Sequence, residues 1–517
     1  MRLFPMISGQ ARLLWAEAGG ALVAAVLIAG CGNNYRPVVT PVNSSGPPSQ
    51  PTSYAVVVSY TGANSPGVAT LIDYSGDSVM AAAPIGVGPL AFTIDEIGGT
   101  GYTFNSDHTI TNFPVSTNLQ QKQELVTTLP VNAQPINLYA PASGLWIGDL
   151  SNDQVDLFSG SPQKFTLSVP IAPASTPTFI AGPPTNGGQR QYIISQNLGA
   201  NPTGMECNLT PTAEPLGTAT PVETSNDTLD VPIPVGKCPV FALQSPDERR
   251  LFVLNRGDDT ITVINSQNNA LDQCTPFLNQ NGQLVKCHPT LPLSTTAVTA
   301  TGITPPNGTA GMGTVAGPVY AEYNIATSQL VVANYDGNSI SVIDVSMDQY
   351  GNDSPTFGTT YTIPVGNDPA SVTVLADGSR AYAANQADGT VTVVNLSSHT
   401  VEKTLSVVGH PRTVVSTQNS LFGKVFVASP DSDYLTILQT TTDLEDATVL
   451  VQGNVVDVRA TSQTGSGETV STYNGSASIS NINYISRVPG WGQPCNLPGA
   501  PKPTGSQTPL QACQAIP

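Results

Sequence analysis

The chain has 517 residues, of which 10% are charged, and 36 acidic against 18 basic residues give a formal net charge of −18. This length exceeds what one hydrophobic core usually holds, so we expect several domains or one large repeat architecture. The 47 glycines and 45 prolines disfavour long helices. The acidic balance argues against nucleic acid or an anionic lipid surface as a partner.

Residues 1–31 have the pattern of an export leader. Arg2 and Arg12 precede the apolar stretch GGALVAAVLIAG, which is short for a transmembrane helix. The stretch runs into the sequence IAGC, ending at Cys31, which resembles the lipobox of bacterial lipoproteins. The resemblance implies cleavage before Cys31 and lipidation of its side chain, with acyl chains such as palmitate anchoring the protein in the bacterial cell envelope.

Two alternatives remain open for this segment. It could be an uncleaved signal anchor, which Glu17 inside the span disfavours, or an ordinary secretory signal peptide. By analogy with lipoprotein sorting, Gly32 after the cysteine favours the outer membrane, facing the periplasm or the cell surface. The expected membrane contact is therefore the lipid on Cys31.

Residues 32–53 are rich in proline, serine and asparagine and are expected to form a tether. A flexible coil of this length averages about 26 Å end to end and reaches about 70 Å when fully stretched. The folded part can therefore stand clear of the membrane.

A two-run pattern recurs four times in the second half of the chain. In each copy an apolar run of about four residues is followed by a polar hinge and a second run with alternating apolar residues, which predicts strand, hairpin loop, strand. The first run lacks alternation and is expected to be covered on both faces. The copies begin at residues 251, 330, 381 and 425 and read LFVLNRGDDTITVINS, LVVANYDGNSISVIDV, AYAANQADGTVTVVNL and VFVASPDSDYLTILQT.

A proline opens a further apolar stretch before each copy, and a returning strand follows each copy. Proline suits the first residue of a strand because it lacks a backbone donor. Four strands per unit of roughly 42 to 50 residues is the period of a propeller blade. The opening prolines are Pro239, Pro318, Pro369 and Pro411, with weaker copies at Pro89, Pro135 and Pro177.

The unit at residues 369–411, PASVTVLADGSRAYAANQADGTVTVVNLSSHTVEKTLSVVGHP, resembles the repeat of the YVTN-type bacterial β-propeller family almost throughout. The resemblance is strongest from 239 to 450 and weakens toward residue 54. Residues 207–230 and 268–317 depart from the pattern as insertions. The resemblance implies an all-β protein, a β-propeller of four-stranded antiparallel blades.

The blade count depends on how the chain ends meet. Seven proline-started units lie between 89 and 452, and the segment before them supplies three strands but lacks an opening one. The stretch GNVVDVRAT, residues 453–461, can supply that strand and remove an exposed sheet edge. Eight blades over 54–461 are therefore predicted, with seven as the alternative if the N-terminal hairpin is an addition. Residues 462–517 are expected to form an irregular tail outside the ring.

Six cysteines remain after Cys31. An even number in an exported chain favours disulfides over a metal site, and fifteen pairings are formally open. Neighbours in sequence suggest pairing each with the next: Cys207 with Cys238, Cys274 with Cys287, and Cys495 with Cys513. His288 beside Cys287 is interpreted as a loop histidine rather than a metal ligand.

Catalytic motifs are sparse in this sequence. It contains no Gly-x-Ser-x-Gly elbow, no His-Glu-x-x-His and no phosphate loop, so neither a cofactor nor a metal site is predicted and catalytic residues are unknown. Repeated asparagines at the fifth position of the hairpins, Asn255, Asn334 and Asn385, are interpreted as turn residues. The RGD at residues 256–258 occupies an ordinary hairpin position. Calcium at paired aspartates, Asp431 with Asp433 or Asp153 with Asp156, stays an alternative to hairpin-turn chemistry.

Two classes of function remain open, because one propeller fold hosts many activities. The first is a monomeric, non-enzymatic envelope lipoprotein that binds another envelope protein or a surface polysaccharide, and the tether and predicted anchor favour it. The second is a lactonase-like hydrolase, which the family resemblance implies through related propellers, with its site at the mouth of the central channel.

Overall fold

A computed structural model describes residues 54–460, apart from gaps at 63, 74–75, 96–98, 117, 120–124, 131–132, 134, 142–143, 150–151, 161–162, 183–189, 200–214, 224, 280–281, 295–314 and 418. Within these ranges the backbone forms strands, turns and loops, and no helix there is long and apolar enough to cross a bilayer. The predicted leader, tether and C-terminal tail lie outside the described residues.

The described strands form eight antiparallel blades. Blade 1 contains β1 (Tyr54–Tyr60), β2 (Pro66–Asp73), β3 (Ser78–Val87) and the last strand, β36 (Asn454–Ala460). Blade 2 contains β4 (Pro89–Ile94), β5 (Thr100–Asn105), β6 (Thr109–Pro114) and β7 (Leu125–Thr128). Blade 3 contains β8 (Pro135–Tyr139), β9 (Leu145–Asp149), β10 (Gln154–Ser159) and β11 (Lys164–Pro170). Blade 4 contains β12 (Pro177–Ala181), β13 (Arg190–Ser195), β14 (Leu216–Glu223), β15 (Thr228–Leu229) and β16 (Ile233–Lys237).

The second half of the ring follows the same order. Blade 5 contains β17 (Pro239–Gln244), β18 (Arg250–Asn255), β19 (Thr260–Asn265), β20 (Ala270–Leu271) and β23 (Thr290–Pro292), with the separate hairpin β21 (Phe277–Leu278) and β22 (Leu284–Val285). Blade 6 contains β24 (Pro318–Asn324), β25 (Gln329–Asn334), β26 (Ser339–Asp344) and β27 (Thr360–Pro364). Blade 7 contains β28 (Pro369–Val374), β29 (Arg380–Asn385), β30 (Thr390–Asn395) and β31 (Thr400–Ser406). Blade 8 contains β32 (Thr413–Ser416), β33 (Lys424–Ala428), β34 (Tyr434–Gln439) and β35 (Leu444–Leu450).

The blades close into a ring through their first strands. Each first strand packs against the next in the order β4, β8, β12, β17, β24, β28, β32, β36 and back to β4. The protein is therefore an eight-bladed β-propeller, as predicted, and the seven-bladed alternative is wrong.

The two ends of the propeller chain meet in blade 1. Strand β36 pairs antiparallel with β1, with Ala55 opposite Ala460 and Val57 opposite Val458. Their apolar side chains are fully buried, so the last strand completes the core of the first blade and covers an edge that would otherwise be exposed. This confirms the closing role predicted for the stretch that begins at residue 453.

Burial falls from the inner strands to the outer ones, as the repeat pattern predicts. All six residues of β18 are buried, whereas most residues of β31 and β35 are exposed. The blades stack face to face, and this places the apolar first and second strands in the core and leaves the fourth strands at the rim.

A buried polar residue stands at or beside the end of the second strand of each blade, and in several blades its side chain fastens the hairpin that follows. In four blades it is an asparagine whose amide nitrogen donates to two hydroxyls, four and six residues later in blade 2 and five and seven residues later in blades 5, 6 and 7. The four sets are Asn105 with Thr109 and Thr111, Asn255 with Thr260 and Thr262, Asn334 with Ser339 and Ser341, and Asn385 with Thr390 and Thr392. The other blades have Ser59, Asp149, Ser195 and Ser429 at this position. The asparagines therefore have the structural role predicted from sequence.

A cation at the start of the second strand joins several blades to the next. In four blades this cation contacts the segment between the third and fourth strands of the following blade. The pairs are Arg190 with Ser266 O (2.7 Å), Arg250 with Asp353 (3.0 Å), Arg380 with Asp443, and Lys424 with Asp77 (2.8 Å). The Lys424 contact joins blade 8 to blade 1 and so supports the closing seam.

The two sequence insertions are shorter than predicted. In blade 4, residues 216–223 form the regular third strand, β14, and the fourth strand is split into β15 and β16. In blade 5 the outer strand is likewise split, because β20 and β23 both pair with β19. Residues 216–223, 228–229, 270–271 and 290–292 therefore have strand partners inside segments that the sequence predicts to depart from the repeat.

Candidate functional site

The inner wall of the ring is where a channel-mouth active site would be expected, and its polar side chains cap strand edges. The innermost strand of each blade has one edge without a neighbouring strand, so its backbone groups need other partners. Side chains of the preceding blade supply them. Three such contacts are Ile180 N to Asn137 Oδ1 (3.0 Å), Val374 N to Glu322 Oε2 (2.9 Å) and Val414 N to Ser371 Oγ (3.0 Å).

Charged groups of the inner wall gather at the closing seam between blades 8 and 1. One carboxylate oxygen of Asp457 accepts hydrogen bonds from Thr413 Oγ1 (2.8 Å), from Val458 N (2.8 Å) and from Arg459 Nη1 (2.9 Å). Burial raises the pKa of Asp457, while Arg459 and Arg412 oppose that rise. These contacts hold β36 against blade 8, so this cluster has a clear structural use.

Blade 5 carries a different arrangement, which we call the blade 5 insertion and define as residues 273–289. It leaves the sheet between the two halves of the outer strand, and a disulfide between Cys274 and Cys287 joins its two sides, with their Cα atoms 5.5 Å apart. Its tip is the hairpin β21–β22, where Phe277, Leu278 and Leu284 are 44%, 68% and 51% exposed. The insertion thus presents an apolar tip on a cross-linked neck.

Below the tip, the base of the insertion is attached to blades 5 and 6 by buried charges. Arg250 Nη2 lies 3.1 Å from Asp272 Oδ1 and 3.0 Å from Asp353 Oδ1, and all three side chains are at most 3% exposed. The second oxygen of Asp353 lies 2.8 Å from His288 Nδ1, and the backbone N–H of His288 donates to Asp272 Oδ2 at 3.2 Å. The His288 ring stacks on Phe357, with the centroids 5.2 Å apart. We call these four charged or titratable residues the blade 5–6 cluster.

Asp272 and Asp353 share the guanidinium of Arg250, and their burial together changes the pKa of Asp272. Burial raises the pKa of Asp272 to about 6, with Asp353 adding to the rise and Arg250 opposing it. All four carboxylate oxygens already have a partner, so the guanidinium of Arg250 takes the place that a metal ion would hold. Among the residues that the structure describes, no group of three His, Cys, Asp or Glu side chains is arranged to bind a metal ion.

The predicted disulfides can be followed only in part. The Cys274–Cys287 bond is present as predicted. Cys238 is disulfide-bonded, and its predicted partner, Cys207, lies outside the described residues. Cys31, Cys495 and Cys513 also lie outside them, so lipidation of the first and the pairing of the others stay predictions.

The aspartates considered for calcium mostly close turns. Asp153 accepts the backbone N–H groups of Ala174 (2.7 Å) and Thr176 (2.8 Å), and Asp431 accepts the N–H of His410 (2.8 Å). Equivalent contacts occur in blades 5 and 7, from Lys237 N to Asp258 and from Asn367 N to Asp388. The repetition marks Asp431 as a turn residue, although His410 Nδ1 also lies 2.9 Å from its other oxygen.

The RGD tripeptide is a structural part of its hairpin. Arg256 is 4% exposed and makes two hydrogen bonds of 2.9 Å to Asp336 of the next blade, with its guanidinium 5.5 Å from the Tyr335 ring centroid. Because Arg256 is buried and paired, its side chain is not available to bind an adhesion receptor. The hairpin position predicted for this tripeptide from the sequence is correct.

Sequence reasoning did not find the blade 5–6 cluster. Its members come from β18, from both sides of the disulfide neck and from a loop of blade 6, and Arg250 and Asp353 are 103 residues apart. His288 was interpreted as a plain loop histidine, whereas it contacts a buried carboxylate. The available signal was positional: Arg250 stands where Arg190, Arg380 and Lys424 stand in other blades.

Comparisons with known proteins support the fold alone. No family model matches the chain, and no curated protein matches it significantly. Solved structures do match: apo AztD from Citrobacter koseri is 12% identical with a TM-score of 0.51, covering 79% of this chain and 97% of that one. The dihydro-heme d1 dehydrogenase NirN, in complex with DHE, is 15% identical with a TM-score of 0.51, covering 78% and 76%. A lactonase-like protein from Bacteroides fragilis is 14% identical with a TM-score of 0.45, covering 79% of this chain and 97% of that one. At these identities the likeness concerns the propeller scaffold.

Proposed function

We propose that this protein is a lipid-anchored, non-catalytic binding module of the bacterial envelope, and that the blade 5 insertion is its recognition element. The observation that carries the proposal is the exposed apolar tip of Phe277, Leu278 and Leu284 on a base fixed by a disulfide and buried charges. Its partner is a protein or a surface polysaccharide of the envelope.

The physical argument concerns both the tip and its support. Exposed apolar side chains grouped at one place mark interaction sites, because their removal from water favours association. A loop held in one shape loses less conformational entropy when it binds, so more of that gain remains as affinity. The disulfide neck and the blade 5–6 cluster provide this support.

The position of the insertion in the ring suits a tethered protein. The described chain begins and ends in blade 1, and blade 5 is four blades away in either direction around a ring of eight. A tether before Tyr54 would join the propeller at blade 1, and the recognition element belongs to the blade farthest from blade 1 around the ring.

Site-specific photo-crosslinking in bacteria tests the recognition element. Leu278 is replaced by p-benzoylphenylalanine in the full-length chain, and Leu444, which is 50% exposed on the outer strand of blade 8, is replaced in the control. We expect a discrete adduct from position 278 and none from position 444. The absence of an adduct at 278, or the same adducts from both positions, would contradict the proposal.

The anchor and the catalytic alternative need their own measurements. Metabolic labelling with an alkyne analogue of palmitate should mark the wild type and not Cys31→Ser, and only the wild type should sediment with membranes; equal labelling of both would refute the anchor.

Purified protein that hydrolyses simple lactones, with activity lost in Glu322→Gln, would instead support the lactonase-like alternative.

A further inference from the structure

We propose that the blade 5–6 cluster is a proton-dependent clasp that fastens the blade 5 insertion to blade 6 and tightens on acidification. The clasp is a property of the fold and can be tested without any partner. Its regulatory meaning rests on the proposed function, because the clasp would set how firmly the recognition tip is held.

The first step of the argument is the charge count of the cluster. Arg250 contributes one positive charge, and Asp272 and Asp353 contribute two negative charges when both are ionised. All three side chains are nearly excluded from water, so the residual negative charge is poorly solvated. One additional proton on Asp272 would bring these three side chains to neutrality and leave Arg250 paired with the Asp353 carboxylate.

The contacts show why a proton would hold the insertion in place. Asp272 directly precedes the insertion, and its backbone N–H still donates to Val263 O of β19 (2.9 Å), whereas His288 lies within the insertion and Asp353 belongs to the loop of blade 6 between β26 and β27. The contacts of His288 with the carboxylates of Asp272 and Asp353 therefore join the insertion to blades 5 and 6. Opening would break these contacts and let water reach Asp272, and the disulfide would keep the two sides of the neck together.

Other charged groups on the packed elements lie nearer to solvent. Arg249 and Asp247, on the turn before β18, pair with each other at 3.6 Å and are 35% and 43% exposed. Lys286 is exposed in the insertion, and Asp344 and Asp348 of the blade 6 loop accept hydrogen bonds from their own turns. Water and salt screen such groups, so the buried cluster dominates the local response to pH.

The sign of the pH effect follows from Asp272. Burial raises its pKa from the ordinary 3.8 to about 6, so the closed form binds a proton more tightly than an open, hydrated form does. The tighter proton binding stabilises the closed form fully below pH 3.8, and this stabilisation is lost as the pH rises through about 6. Between pH 5 and pH 7 the equilibrium constant for opening should increase about tenfold, because Asp272 loses its proton at a lower pH in the open form than in the closed form.

Amide hydrogen exchange of the full-length protein tests the clasp. Exchange of peptides covering residues 270–290 is followed at about pH 5 and pH 7 and corrected for the intrinsic pH dependence of exchange. We expect opening to be about tenfold more frequent at pH 7 in the wild type. Asp272→Asn, which mimics the protonated acid, should remove this difference, whereas Asp348→Asn, at a partly buried carboxylate of the blade 6 loop that accepts hydrogen bonds from its own turn, should preserve it.

Each result decides the matter. Equal opening at both pH values in the wild type, or an undiminished difference in Asp272→Asn, would overturn the clasp. If Asp272→Asn fails to fold, peptides from blade 7 will show it, and the wild-type profile then serves alone: an opening transition centred near pH 6 supports the clasp, and a flat profile refutes it. Failure of the crosslinking experiment would leave this result untouched, so the two proposals can fail separately.

Discussion

Replacing Asn334 by alanine tests whether the buried asparagines hold the hairpins together. The Asn334 amide donates to Ser339 Oγ at 3.1 Å and to Ser341 Oγ at 2.8 Å, and all three side chains are fully buried. A buried hydrogen bond contributes about 0.5–1.5 kcal/mol net, so the loss of two should lower the free energy of unfolding by about 2 kcal/mol. Nothing in solvent can replace these contacts, because the site is closed to water.

The control occupies the same position in blade 8. Ser429 is buried, and within the described part of the chain its hydroxyl has no hydrogen-bond partner. Ser429→Ala should therefore change the free energy of unfolding by less than about 0.5 kcal/mol, or stabilise slightly. Equilibrium unfolding in guanidinium chloride, followed by fluorescence and circular dichroism, measures both variants. An Asn334→Ala cost no larger than that of Ser429→Ala would refute the reasoning.

Three further predictions follow from the same structure. Lys424→Met should destabilise by about 1–2 kcal/mol, because it breaks a pair with Asp77 whose side chains are only 14% and 12% exposed. Lys164→Met, at an exposed residue of the outer strand β11, should cost little, and unfolding in guanidinium chloride compares the two variants. The double change Cys274→Ser with Cys287→Ser removes a cross-link worth about 3 kcal/mol for a loop of this size. Limited proteolysis within residues 275–286 should therefore accelerate. An unchanged rate of cleavage would show that the disulfide does not hold the insertion in shape. Burial raises the pKa of Tyr102 and Tyr323 to about 12, so neither should be ionised at about pH 10.5. Replacing either by phenylalanine should therefore leave the tyrosinate absorbance at that pH unchanged, and a smaller absorbance in the variant would contradict the raised pKa.

The sequence was sufficient where the fold depends on local pattern. Alternating apolar residues, a proline before or at the first strand of seven blades and an unfilled edge at residue 54 together predicted the blades and the closing strand, because each feature reflects the pairing of neighbouring segments. The split outer strands were less visible, since three of the four half-strands, β15, β20 and β23, have only two or three residues, which carry too little periodicity to indicate a strand.

The candidate site escaped prediction for a different reason. Arg250 pairs with Asp272 within blade 5, and it meets Asp353, with His288 beside it, because the insertion of blade 5 packs on a loop of blade 6. That contact depends on how the blades stack rather than on spacing along the chain. A charge that is buried only by such stacking looks, in one sequence, like any other surface charge. The cysteines beside Asp272 and His288 marked the place but not its chemistry.

Closure of the ring by β36 also sets an order on biosynthesis. Strands β1 to β3 are made first, yet the inner partner of β1 begins at Asn454, about 400 residues later. At about 5–20 residues per second, roughly 20–80 s pass during which β1 has an unpaired inner edge. That edge, rich in valine, is the part of the nascent protein most open to pairing with a neighbouring chain. A factor that shields unfinished chains would therefore affect the yield of this protein through blade 1, and mutations that slow the arrival of β36 would lower yield without changing the stability of the finished ring.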